Sequence, residues 1–176
     1  DPDLANFTFR STRNLSDRVT KTKNMALGYR QTLGFLPSEY LRGVGVFLNY
    51  DRTYVTQSGD GSGPAARRSN LTPHRVSGGV SYFYRRFNGS LNFVWGDNRP
   101  ESGTYGRYFS QITKVDCTLG WKLTNYATLF VTGRNIRNAP DIWYQSPPGV
   151  QEGKNGHLRA MESYGALWTF GVRGTF

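Results

Sequence analysis

Seven stretches of this chain put apolar side chains at every second position, and the connections between them alternate short and long. In "VDCTLGWKL" (115–123), Val115, Cys117, Leu119, Trp121 and Leu123 alternate with Asp116, Thr118, Gly120 and Lys122. A period of two places successive side chains on opposite faces of a strand. The same pattern predicts strands over 23–34, 43–54, 74–86, 90–97, 110–124, 127–136 and 162–176, with the turn of the third hairpin partner at "FNGS" (87–90), where Asn-Gly accepts positive φ. The connections run 35–42, 53–73, 86–89, 97–109, 124–126 and 135–160, so every second one is brief. The last of them, "NIRNAPDIWYQSPPGVQEGKNGHLRA", carries paired prolines and three glycines and reads as loop. A soluble sandwich has no reason to sort its loops by end. A barrel spanning an outer membrane has one, with short turns on the periplasmic side and long loops outside.

Parity gives each strand two unlike faces. Val44, Val46, Leu48, Val80, Tyr82, Leu91, Phe93, Leu119, Trp121, Trp168, Phe170 and Val172 share the apolar side. Arg30, Arg75, Arg85, Lys114, Lys122, Arg134 and Arg173 fall on the other, and Phe130 interrupts it. In a barrel the apolar side meets lipid and the polar side lines the lumen; in a soluble sandwich the apolar side is a core and the polar side meets solvent. Tyr82, Tyr84 and Trp121 lie near short turns and Tyr50 toward a long loop, as interfacial girdles require.

Mean hydropathy is −0.57 and hydrophobic residues make up only 37%, yet aromatics reach 15% and 21 of 176 residues are glycine, above the usual level of about 7%. No apolar run is long enough for a transmembrane helix, whereas barrel strands are half polar by construction. No signal-peptide pattern stands at Asp1, so in an exported protein that segment is already removed. The net charge of +10 raises nucleic acid as a partner. The basic residues are dispersed, however, with Arg pairs only at 67–68 and 85–86, and no nucleic-acid partner is expected. His74, His157 and the single Cys117 make no metal-ligand spacing, "GDGSG" (59–63) opens no helix, and no G-x-S-x-G elbow occurs. No metal, cofactor or enzymatic activity is expected. The binding candidates are loop residues: Trp143 and Tyr144 for solute contact, and Arg67, Arg68, Arg99, Arg107 and Arg159 for an anionic ligand, for outer-leaflet phosphates, or for loop solvation.

The ordered series "LGYRQTLGFLPSEYLRGVGVFLNYDRTYV", "LTPHRVSGGVSYFYRRFNGSLNFVWG", "VDCTLGWKLTNYATLFVTGRNIRNAP" and "YGALWTFGVRGTF" resembles the C-terminal part of a TonB-dependent outer-membrane receptor. The family's Asn-Leu-Phe-Asn/Asp ending of the penultimate hairpin is here Asn135-Ile136-Arg137-Asn138. Thr169, Gly171 and Phe176 match the terminal-strand signal read by the barrel-assembly machinery; Gly174 departs from it. The resemblance implies an all-β, antiparallel transmembrane barrel segment, seven or eight strands of a 22-stranded barrel with a plugged lumen. Residues 1–20 would be an extracellular loop or partial strand, and 21–176 the C-terminal barrel strands. It further implies a bacterial outer-membrane location and TonB-energised uptake of a scarce solute such as an iron chelate, cobalamin or a glycan. The plug and the TonB-engaging segment would lie in the remainder of the protein. The alternative is a stand-alone barrel acting as a passive pore, anchor or adhesin. Seven strands leave open edges at 23–34 and 162–176 that lipid does not tolerate, so further strands are expected to cover them; in the rival arrangement "LANFTFRS" (4–11) pairs with 162–176.

Overall fold

The computed structural model describes residues 19–58, 71–100, 107–146 and 156–174, which form antiparallel strands and no helix. In chain order these are β1 (Val19–Thr32), β2 (Val44–Ser58), β3 (His74–Tyr84), β4 (Phe87–Gly96), β5 (Arg99–Pro100), β6 (Arg107–Phe109), β7 (Ile112–Lys122), β8 (Ala127–Arg134), β9 (Asp141–Gln145), β10 (His157–Glu162) and β11 (Leu167–Gly174). A seven-stranded sheet runs β1-β2-β3-β4-β7-β8-β11, and a four-stranded sheet runs β10-β9-β6-β5. The seven expected strands are the seven of the large sheet, in a plain meander. The four short strands lie inside connections that alternation assigned to loop.

One parity is kept across the whole large sheet. Leu48 stands opposite Tyr29 and Gly78, Val46 opposite Val80, and Val80 opposite Leu91. Leu91 meets Cys117, Leu119 meets Val131, and Val131 meets Phe170. The apolar side chains therefore form one continuous face, and no described residue covers it. Leu27 is 61% exposed, Leu91 50%, Trp121 54% and Phe170 71%. Among the described residues, Tyr108 is the only buried hydrophobic side chain. Among the described residues the face thus has no sandwich core behind it.

Aromatic side chains edge this face. Near the short turns, ring centroids step from Tyr40 to Tyr84 (5.1 Å), Tyr82 (6.4 Å), Phe87 (6.1 Å) and Trp121 (6.5 Å). Glycines make room for large neighbours across the ladder. A side chain at Gly78 would strike the Phe93 ring, and one at Gly171 the Phe130 ring. Phe130, whose placement blurred the alternation, belongs to the polar face, where it shields the bare backbone of Gly171.

The third and fourth strands meet earlier than the Asn-Gly signal implies. Tyr84 pairs directly with Phe87, leaving Arg85–Arg86 as the turn, with Arg85 at φ 51°. Asn88 and Gly89 lie within β4. Cross-strand pairing outweighs turn chemistry here: this register sets Leu91 on Val80 and Phe93 over Gly78. Arg85 accordingly sits at a turn and not on the polar face. The final strand also begins later than expected, at Leu167, because Gly165 at φ 78° breaks it from β10.

In the large sheet β1 and β11 each have a hydrogen-bonded neighbour on one side only, so the sheet is open among the described residues. A pairing of 4–11 with β11 lies outside them.

The turn between β1 and β2 is fastened to β3 by the Phe83 amide donating to the Gly43 carbonyl at 2.9 Å. A Cβ on Gly43 would overlap the Phe83 carbonyl, whereas one on Gly34 would have nothing within 4 Å. We expect Gly43→Ala to lower stability by about 1–3 kcal/mol, the usual cost of forcing backbone apart, and Gly34→Ala to change it little. Urea unfolding of both variants measures the difference.

Candidate functional site

The polar face and the long connections meet at one end of the sheet, and side chains of Asp and Asn shape that end. Beyond β4, Asp97 accepts from the Asn98 amide at 2.7 Å, and Asn98 Oδ1 accepts from the Gln111 amide at 2.7 Å. The two ends of the 97–111 connection are thereby tied together. Beyond β8, Asn135 turns at φ 49° and its amide donates to Asp116 at 2.8 Å. Its side chain then closes a loop with Ala139, accepting from the amide at 3.0 Å and donating to the carbonyl at 3.1 Å. Asn138 follows at φ 50°, a conformation that asparagine tolerates better than most residues. The Asn135-Ile136-Arg137-Asn138 stretch is therefore a folded corner, and it delivers the chain into β9.

β9 pairs with β6 on one side and β10 on the other, joining the two long connections in one small sheet. Register sets Trp143 against Phe109, and Phe109 against Arg99. The Trp143 and Phe109 rings are 5.0 Å apart, and the Arg99 guanidinium lies 4.1 Å from the Phe109 centroid. On the reverse face Tyr144 stacks on Tyr108 at 5.5 Å. Tyr108 is 6% exposed, and its hydroxyl accepts from the Gly156 backbone amide.

Between this small sheet and the polar face of the large one lies a cleft of about 170 Å³. Val94, Gly96, Ile112 and Lys114 form its floor, and Arg99, Phe109, Asp141 and Ile142 its opposing wall. Lys114 Nζ reaches Asp141 Oδ2 at 3.5 Å, tying floor to wall. A space of this size holds part of a ligand rather than encloses one. The polar face below it is cationic: Arg30, Arg75, Lys114, Lys122, Arg134 and Arg173 stand against Asp51 and Asp116 among the described residues. The chemistry on offer is binding through cations and aromatic faces. No group of three metal-capable side chains occurs among the described residues.

Of the sequence candidates, Arg99 and Trp143 come together around Phe109. Tyr144 lies on the other side of the same sheet. Arg107 pairs with Gln145, which also accepts from Arg159 at 2.9 Å. Thr169 and Gly171 occupy the polar face of β11, opposite Thr132 and Phe130. Arg67, Arg68 and Phe176 lie outside the described residues. Sequence reasoning missed Tyr108, Phe109, Lys114 and Asp141 as site-forming. The available signal was the matched pair of short aromatic runs, "RYF" (107–109) and "DIWYQ" (141–145), whose aromatics meet ring to ring.

Burial, reinforced by the neighbouring Tyr144 phenol and opposed by the Gly156 amide, raises the Tyr108 phenol above its ordinary value. A raised folded-state value means that stability is present below the ordinary phenol range, about pH 10, and is lost as pH rises through it. The small sheet should loosen in that alkaline range, read as loss of near-ultraviolet circular dichroism from the stacked rings. Tyr108→Phe should move the midpoint upward; an unmoved midpoint would assign the transition elsewhere.

No protein-family model matches the chain, and neither a curated protein nor a solved structure does, so its functional reading rests on sequence and geometry.

Proposed function

We propose that this chain is the C-terminal portion of an outer-membrane barrel belonging to an active-transport receptor, energised through TonB, that takes up a scarce solute such as an iron chelate, cobalamin or a glycan. The observation that carries the membrane half is the uncovered apolar face of the seven-stranded sheet, continuous through every strand and backed by a polar face. Water penalises such a surface heavily; lipid accepts it. β3, β4 and β7 have 11, 10 and 11 residues, the length a tilted strand needs to cross hydrocarbon. Aromatic rings bound the apolar band near the short turns, with Tyr50, Tyr54, Trp95 and Trp168 toward the long connections. A lipid-facing sheet must also close, because an open edge in hydrocarbon leaves backbone groups without partners. Strands beyond those of the large sheet therefore pair with β1 and β11, and plug and TonB-engaging segments complete the receptor.

The transport half is supported by the resemblance of 21–176 to the terminal strands of TonB-dependent receptors, including the Asn135–Asn138 corner. The cationic polar face and the Arg99–Phe109–Trp143 cluster suit contact with an anionic or aromatic solute at the outer mouth.

Leu91 and Ser90 are neighbours in the middle of β4 on opposite faces, Leu91 on Val80 and Cys117, Ser90 on Ser81 and Thr118. On refolding of the full-length protein into phosphatidylcholine vesicles, Leu91→Arg should cost about 2–4 kcal/mol and Ser90→Arg much less. Equal costs would remove the lipid-facing assignment. In cells carrying the full-length protein, solute uptake should stop when TonB is deleted; uptake that continues would identify a passive pore instead.

A further inference from the structure

Among the described residues, every formally charged side chain on the apolar face of the large sheet stands in one corner. Lys21 and Lys23 share that face with Met25, Leu27 and Tyr29 at the far end of β1, beside the long connections. Arg52 joins them from β2, opposite Met25 on one side and His74 on the other. Its guanidinium lies 4.2 Å from the centroid of Tyr54, which is itself opposite Lys23. The Tyr50 hydroxyl stands 2.8 Å from His74 Nδ1 and their rings stack at 6.0 Å. No carboxylate shares the face among the described residues; Asp51, adjacent in sequence, is of the opposite parity, paired with Ala26 and Arg75.

Diagonal neighbours on a sheet face are about 7–8 Å apart, so Lys23 and Arg52 repel unless an anion lies between them. The corner sits where the apolar band ends, and its tyrosines have the amphipathic form that settles at headgroup level. We propose that Lys21, Lys23 and Arg52, flanked by Tyr50 and Tyr54, bind the phosphate groups of an anionic lipid in the outer leaflet of the surrounding membrane. The Arg52 fork matches two phosphate oxygens and the lysines supply compact charges. This site rests on the lipid-facing reading above and adds to it a specific lipid chemistry at one position on the perimeter.

The test refolds the full-length protein into phosphatidylcholine vesicles carrying either diphosphoryl lipid A or the same lipid stripped of its phosphates, then measures lipid retained after mild detergent extraction. The protein should retain the phosphorylated lipid selectively. Lys21→Gln, Lys23→Gln and Arg52→Gln combined should weaken retention about tenfold or more, and Lys23→Gln alone a few-fold should the triple variant not fold. A charge-matched variant at the opposite end, with Arg42, Arg85 and Arg86 of the short turns replaced by Gln, should retain it unchanged. Insertion with equal retention of both lipids, or equal loss in both triple variants, overturns the site and leaves the lipid-facing reading standing. Failure of the unsubstituted full-length protein to insert into neutral vesicles overturns that reading and the site with it.

Discussion

The cross-strand register of the large sheet is the constraint on which everything else depends. Side-chain direction has a period of two, so a slip of one residue between any pair of strands would throw that strand's apolar set onto the polar face. Seven strands in series keep a single parity, from Tyr29 against Leu48 to Val131 against Phe170. Local fit enforces it. Phe93 lies over Gly78, Phe130 over Gly171 and the Trp168 ring over Gly133, each bulky ring using the space that a missing Cβ leaves on the neighbouring strand. The abundance of glycine and aromatics is thus one packing solution, repeated on both faces.

That register also sorts the ends of the sheet. Because the strands follow one another as a meander, all short turns lie at one end and all long connections at the other. Two of the long connections then meet and pair through β6 and β9. The result is a second sheet fixed to the first by Lys114–Asp141 and by the Asn135 corner. The cleft between the sheets exists because the connections are long enough to double back over the polar face. The cation corner at Lys21, Lys23 and Arg52 belongs to the same end but to the apolar face. One end of this sheet therefore holds both candidate binding features, facing opposite directions.

Strand identity, the meander and the two faces were legible in residue order, because alternation within a strand is a local property that needs no partner to be seen. All seven strands of the large sheet were anticipated, and their parity with them. The small sheet was not. β5 has two residues and β6 three, too few for a period to register, and β9 and β10 lie in a stretch whose prolines and glycines signal loop. The placement of Trp143 on Phe109, and of Tyr144 on Tyr108, likewise required strands distant in sequence to meet. The hairpin at Arg85–Arg86 makes the same point: Asn88-Gly89 is a sound local turn signal, overruled by the pairing of Leu91 and Phe93 with the preceding strand. Residue order alone determined which side chains share a face, since backbone geometry sets that. Tertiary structure decided which rings and charges meet across connections, since those contacts depend on strand pairing over long separations and on the space each pairing leaves.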